Sequence, residues 1–237
     1  KGDEEYPKHK GYGDSGLDFL YNSLPNIYTF PNFEKFKSLE KIKIYNYFDH
    51  DQKEGMLYNY EYGFEDYWIY VSRWEPRKNH LSLLRVFVEN SYYYNYNLVF
   101  VGDDAIENKM YNEYFEGLSE EIRSKVIRLK RVSFEDLLNL IRGANISVYP
   151  SFAEGFGIPP IEALAANIPS ICSNTTAMSD FDFMNNMMFQ PNDLNEIKIC
   201  VDNNINTTIK SHVINEMKKM YNWKSSVDKL KTAIYSM

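Results

Sequence analysis

From Tyr67 onward, short apolar runs alternate with stretches of helical spacing, and this alternation constrains the fold more than any other feature. Trp68-Ile-Tyr-Val-Ser72, Leu98-Val-Phe-Val-Gly102, Val126-Ile-Arg-Leu129, Ile146-Ser-Val-Tyr149 and Ser170-Ile-Cys172 read as strands, and Met187-Met-Phe189 offers a sixth. Between them, Asn79 to Glu89 carries Leu81, Leu84 and Val88 at helical spacing, and a polar helical stretch runs from about Glu107 to Lys125. Ser133, with Asp136 three residues on, predicts the N-cap of a helix over Phe134 to Arg142. Helices fill roughly Asp193 to Tyr235. Short buried strands punctuated by helices predict an α/β fold, a doubly wound parallel sheet with C-terminal helices. Ligands of such sheets sit beyond the carboxyl ends of the strands. Arg73, Gly102, Arg131 and Glu154 all follow strands and therefore share that edge.

Residues 1–66 behave differently. Gly11-Tyr-Gly-Asp-Ser-Gly16 and Asn22-Ser-Leu-Pro-Asn26 are turn-like, Glu34 to Lys43 is a charged helical stretch, and Ile42 to Phe48 is the one strand-like run. This part is a linker region, a truncated lobe or an elaboration of the main domain, which spans 67–237.

Composition matters mainly for what it excludes. A net charge of −7 over 237 residues argues against broad nucleic-acid binding. No apolar run approaches the ~20 residues of a membrane span, and polar Lys1 to Lys10 is no signal peptide, so a cytoplasmic location follows by default. Cys172 and Cys200 have no His or Cys partner at ligand spacing and read as buried free thiols. The many Tyr and Asn, as in Ser91 to Asn97, read as compositional bias.

Two segments carry the chemistry. Between Ser151 and Ala166, Glu154 and Glu162 stand eight positions apart with Gly155, Gly157, Pro159 and Pro160 between them. An unbroken helix would turn the carboxylates roughly 80° apart. The glycines and prolines predict instead a loop carrying Glu154, then a helix opening at Pro159 or Pro160 with Glu162 in its first turn. Carboxylates accept hydroxyl hydrogen bonds and a bare helix N-terminus takes an anion, a combination suited to a polyol joined to a diphosphate. The second segment, Val71 to His80, runs from a strand end into a helix start. Arg73 and Lys78 are placed to neutralise a diphosphate, Asn79 adds N–H donors, and Arg77 reads as surface. His80 reads as a first-turn helix residue. Asp180-Phe-Asp182 and Asp49-His-Asp51 fit a metal-binding Asp-x-Asp pattern, but so short a pattern recurs by chance and neither ends a clear strand.

Taken together, these segments resemble the C-terminal half of the retaining GT-B glycosyltransferases. The resemblance covers roughly Tyr67 to Tyr235. It includes Ser-Arg-x4-Lys-Asn at Ser72 to Asn79, the strand and glycine at Leu98 to Gly102, Phe134-Glu-Asp-Leu-Leu, Ala144 to Ser151, Glu154-x7-Glu162 and Asn222-Trp223-Lys224. It implies a Rossmann-like lobe that binds a nucleoside-diphosphate sugar, UDP- or GDP-linked, with no further cofactor and no metal.

In that family, residues matching Arg73 and Lys78 bind the diphosphate and stabilise the leaving group. Glu154 and the backbone of Phe156 and Gly157 hold the transferred sugar, Ile158 faces the phosphates, and Glu162 accepts the ribose hydroxyls. The backbone around Lys130, Arg131 and Val132 meets the base, and Ser72, Gly102 and Gly155 complete the donor set. The family's acceptor lobe, on the order of 150 residues, is not evident in residues 1–66. A missing N-terminal lobe or a partner subunit is therefore expected alongside an unidentified acceptor, with room for peripheral membrane association. Asn174 to Asp180 replaces a small-residue loop ending in Pro-Glu. This brings Asp180, Thr175 and Thr176 in as further donor contacts. Competing readings are an NDP-sugar epimerase, for which the expected extra acidic and histidine groups are lacking, and a degenerate partner-binding lobe, which would not need Arg73, Lys78 and both glutamates.

Overall fold

The structure, a computed structural model, describes residues 63–235. The readings placed on Gly11–Gly16, Asn22–Asn26, Glu34–Lys43, Ile42–Phe48 and Asp49–Asp51 lie outside the described residues. Strands β1 (Tyr67–Val71), β2 (Asn97–Val101), β3 (Val126–Leu129), β4 (Ile146–Tyr149), β5 (Ser170–Ser173) and β6 (Met188–Phe189) form one sheet. Their order is β3-β2-β1-β4-β5-β6 and every pairing is parallel. Helices α1 (His80–Glu89), α2 (Lys109–Glu116), α3 (Glu120–Arg123), α4 (Phe134–Gly143), α5 (Ile158–Ala165), α6 (Leu194–Asn204), α7 (Ser211–Met220) and α8 (Trp223–Tyr235) complete the described residues. The α/β doubly wound sheet expected from the sequence is what the chain forms.

β1 shows why its run has no polar alternation. Trp68 and Tyr70 pack on one face with Leu83, Leu84 and Phe87 of α1 and Ile197 and Val201 of α6. Tyr67, Ile69 and Val71 pack on the other with Leu137, Leu140 and Ile141 of α4 and Ala163 of α5. A strand covered on both sides must be apolar at every position. Each such aliphatic side chain, fully buried, contributes roughly 1.5–3 kcal/mol.

Three expectations shift locally. The stretch from Glu107 to Lys125 is two helices: α2 ends at Gly117, and Ser119 caps α3 by accepting from the Ile122 N–H at 3.4 Å. α5 opens at Ile158 rather than at a proline, with left-handed Gly157 before it. Met187 belongs to a 3-10 turn, so β6 starts at Met188. Ser133 caps α4 as expected, accepting from the Asp136 N–H at 3.1 Å.

The strand order reverses direction between β1 and β4. In open sheets of this kind the loops that follow such a pair of strands diverge and form the ligand crevice at the carboxyl edge. The two motif-bearing segments are the loops after β1 and β4.

Candidate functional site

The β1 loop is held from below. Gly102, just past β2, lies against Ser72, and a Cβ there would stand 1.9 Å from the Ser72 carbonyl oxygen. Only glycine allows that approach. The Ser72 hydroxyl meets His80 Nε2 at 3.0 Å, and the Tyr70 hydroxyl donates to the Lys78 carbonyl at 2.6 Å. Asn79, left-handed at φ 58°, donates its side-chain amide to the carbonyls of Pro150 (3.0 Å) and Pro191 (2.7 Å). Its backbone N–H donates to Pro76. Asn79 therefore ties the β1 loop to the ends of β4 and β6, and it does not supply the free N–H expected of a helix start.

These anchors bring Lys78 under the β4 loop. Lys78 Nζ lies 2.6 Å from Glu154 Oε1 and 3.2 Å from the Tyr149 hydroxyl, and its side chain is only 9% exposed. Arg77 joins from the open side, with Nη1 3.5 Å from Glu154 Oε2 and Nη2 2.6 Å from Glu75 Oε1. It also donates to the Ala153 carbonyl. Arg73 is 62% exposed and reaches Glu75 only at 3.9 Å. Three cations thus face two carboxylates, leaving an excess of one positive charge.

The electrostatics follow from this packing. Burial pushes the Glu154 carboxyl upward, but hydrogen bonds from Lys78 and Ser151 and the Lys78 and Arg77 charges outweigh it and hold the group below its ordinary value. The Tyr149 hydroxyl is pushed well up, first by burial and then by its Tyr70 and Glu154 neighbours. His80 is lowered to about 3 by burial, reinforced by Arg128 and Lys78, so it is neutral at physiological pH. The arrangement offers an acceptor whose ionised form is favoured by its cationic setting, suited to hydroxyl groups beside an anion.

The other expected residues fall into three groups. Gly155, Phe156, Gly157 and Ile158 continue the Glu154 loop into α5. Gly157, at φ 93°, has no space for a Cβ, which would lie 2.6 Å from Met178 Cγ. The Phe156 ring is partly exposed and packs 5.1 Å from Tyr221. The bare helix start is poorer in donors than expected, because α5 reads Ile158-Pro159-Pro160 and prolines carry no N–H. Glu162 is the fifth residue of α5, beyond its first turn.

A second group stands apart on the β2 and β3 side. Arg131 is left-handed at φ 55° and its N–H donates to Asp103 Oδ1 at 3.2 Å. Lys130 pairs with Asp104, and Val132 packs against the α4-side core. The Gly102 N–H donates to Leu129 at 2.9 Å and the Ser72 N–H to Val101 at 2.9 Å. These two residues shape the edge through close packing, with their N–H groups already committed.

The third group faces Glu154 from β5. The Thr176 hydroxyl accepts from the Glu154 N–H at 2.9 Å, which fixes the loop from outside. The Thr175 hydroxyl is buried with no partner among the described residues. Asp180 is exposed at the end of a 3-10 turn.

Sequence reading missed Glu75, Arg77 and Tyr149. Arg77, read as surface, is only half exposed and bridges both loops. Tyr149 carried a signal, since a hydroxyl at the last position of a buried strand points to the ligand edge. Glu75 pairs within its own loop, with Arg73 and Arg77, and nothing local marks Arg77, whose role depends on contacts across the crevice.

A family model described as glycosyl transferases group 1 matches residues 61–198, more than half of the chain. O-antigen chain mannosyltransferase B of Escherichia coli is 31% identical over 144 residues, covering 60% of this chain and 37% of that protein. O-antigen chain mannosyltransferase RfbU of Salmonella typhimurium is 38% identical over 112 residues, covering 46% of this chain and 30% of that one. The match thus spans about a third of the length of each relative. Among solved structures, Anabaena Alr3699/HepE in complex with UDP superposes with a TM-score of 0.65 at 16% identity, covering 81% of this chain and 55% of that chain. The C-terminal domain of a glycosyl transferase group 1 family protein (LpcC) from Francisella tularensis gives 0.57 at 17% identity, covering 73% of this chain and 93% of that chain. At those identities the structural likeness speaks for the fold.

Proposed function

The chain belongs to the glycosyl transferases group 1 family, and from that premise we propose that residues 67–237 bind a nucleoside-diphosphate sugar, UDP- or GDP-linked. The reaction is transfer of its hexose to a glycan or lipid acceptor with retention of configuration. The observation that carries this reading is the meeting of Lys78 and Glu154, from the loops after β1 and β4, where the sheet order reverses. A ligand there spans a cationic side and a carboxylate side. The two curated relatives, both named as mannosyltransferases, support a hexose donor.

In this scheme, cleavage of the sugar–phosphate bond develops negative charge on the diphosphate and oxocarbenium character on the sugar. Arg73, exposed and weakly engaged, meets the diphosphate first, and Lys78 stabilises its departure. Glu154 accepts sugar hydroxyls, with the Phe156 and Gly157 N–H groups as donors from the same loop. Glu162 takes the ribose hydroxyls and Ile158 faces the phosphates. The charge on the leaving group is met by side chains, so the scheme routes no step through a metal or further cofactor.

Thermal denaturation with UDP, GDP and ADP, alone and as sugar conjugates, tests the reading. UDP or GDP at 100 times its Kd adds about 2.7 kcal/mol of stability, and Arg73→Ala weakens both. A protein unmoved by every nucleotide and conjugate has no donor site here. The anomeric form of the product, read by NMR, decides retention.

A further inference from the structure

We propose that Arg77 is a positioning residue that holds the Glu154 carboxylate in place while Lys78 turns from Glu154 to the donor's diphosphate. This rests on the donor-binding reading above, and it addresses a difficulty that reading creates. Lys78 is asked to meet phosphate, yet two of the three donors of its ammonium are already engaged, by Glu154 at 2.6 Å and Tyr149 at 3.2 Å, and its side chain is only 9% exposed. Glu154 is itself only 11% exposed on its side chain. Withdrawing a sole counter-ion from a buried carboxylate leaves an uncompensated charge, which is strongly unfavourable.

Arg77 removes that obstacle. Its Nη1 stands 3.5 Å from Oε2, the oxygen Lys78 does not use. Its planar fork has five donors in fixed directions, and each side of the fork has a partner. Nη2 is engaged by Glu75 at 2.6 Å, and Nη1 also donates to the Ala153 carbonyl, next to Glu154. The Arg77 backbone is tied to the same loop, its carbonyl accepting from the Phe152 N–H at 2.9 Å and the Ser151 hydroxyl at 3.3 Å. Arg77 therefore moves with the β4 loop although it belongs to the β1 loop. When Lys78 departs, the carboxylate keeps a cation and its orientation.

A double-mutant cycle read by calorimetric titration of GDP and UDP into the full chain tests this. Removing Arg77 alone (Arg77→Ala) weakens binding of the nucleotide that wild type takes by roughly tenfold, because Lys78 is then held by Glu154. In a Glu154→Gln background no charge needs compensating, and the same substitution changes affinity by less than about 2-fold. Arg77→Lys keeps the charge and recovers part of the loss. Arg77→Gln, run through the same cycle, covers the case in which the alanine variant is poorly folded. An equal loss in both backgrounds would mean that Arg77 touches ligand or merely supports the fold, and no loss in either would mean that it does nothing here. Each of these overturns the inference while leaving donor binding intact. Absence of GDP and UDP binding to wild type overturns the donor reading itself, and this inference with it.

Discussion

Two charge clusters occupy the carboxyl edge of the sheet, and they are built from the same residue types with opposite physical consequences. At the β1/β4 crevice, Lys78 and Glu154 pair with side chains 9% and 11% exposed. Beyond β2 and β3, Asp104 pairs with Arg128 and Lys130, but Asp104 is 57% exposed and Lys130 46%. Arg128 also lies over the Trp74 ring at 3.6 Å. Both clusters lower the pKa of a carboxylate. The difference lies in what happens when a partner is lost. Water replaces a partner at the open edge, whereas at the crevice the remaining charge has little solvent to turn to. Counting ion pairs would rank the two clusters equal; burial separates them.

The largest expected effect is at the crevice. Lys78→Ala lowers unfolding stability at pH 7 by about 3 kcal/mol in urea denaturation, part of it lost packing and part the loss of the nearer of the two cations on Glu154, which leaves only the longer contact to Arg77. A cost near that of an exposed lysine would break the contrast.

His80 lies between the clusters and feels both, since Lys78 and Arg128 each lower its pKa below what burial alone gives. Its folded value of about 3 lies below the ordinary histidine value of 6.5. The unfolded chain therefore takes up the proton first, and stability is lost as pH falls from 6.5 toward 3. Between pH 7 and pH 5 the loss from this group is about 2 kcal/mol. His80→Asn flattens that slope even while lowering stability at pH 7, which urea midpoints at the two pH values would reveal. An unchanged slope would remove His80 from the account.

The smallest expected effect is at the open edge, where Asp104→Ala costs under about 0.5 kcal/mol in the same assay. A loss approaching that of Lys78→Ala would show that the exposed cluster is stiffer than its solvent contact suggests.

The same contrast explains how much was legible in the sequence. Features that close locally were readable: the Ser133 cap and Asp136 are three residues apart, and the apolar runs of β1, β2, β4 and β5 state their own burial, whereas β3 lies at the sheet edge and is only half-buried. Lys78 and Glu154 stood out because their segments were each unusual. Arg77 did not, because the carbonyl and carboxylate that engage it lie 76 and 77 residues away and only the strand order brings them together. Glu162 was misplaced for a local reason. The reading took a proline as the first helical residue, while the chain enters α5 at Ile158, so Glu162 falls a residue or two later in the helix.

The two prolines at the start of α5 distribute freedom unequally along the Glu154 loop. Pro159 and Pro160 have φ fixed by their rings in the unfolded chain as well as the folded one, so ordering that turn costs little backbone entropy. Gly157 is wedged against Met178, but a side chain at Gly155 would meet nothing within 4 Å. Of the two glycines in this loop, the one with room for a side chain is therefore the one directly beside the carboxylate.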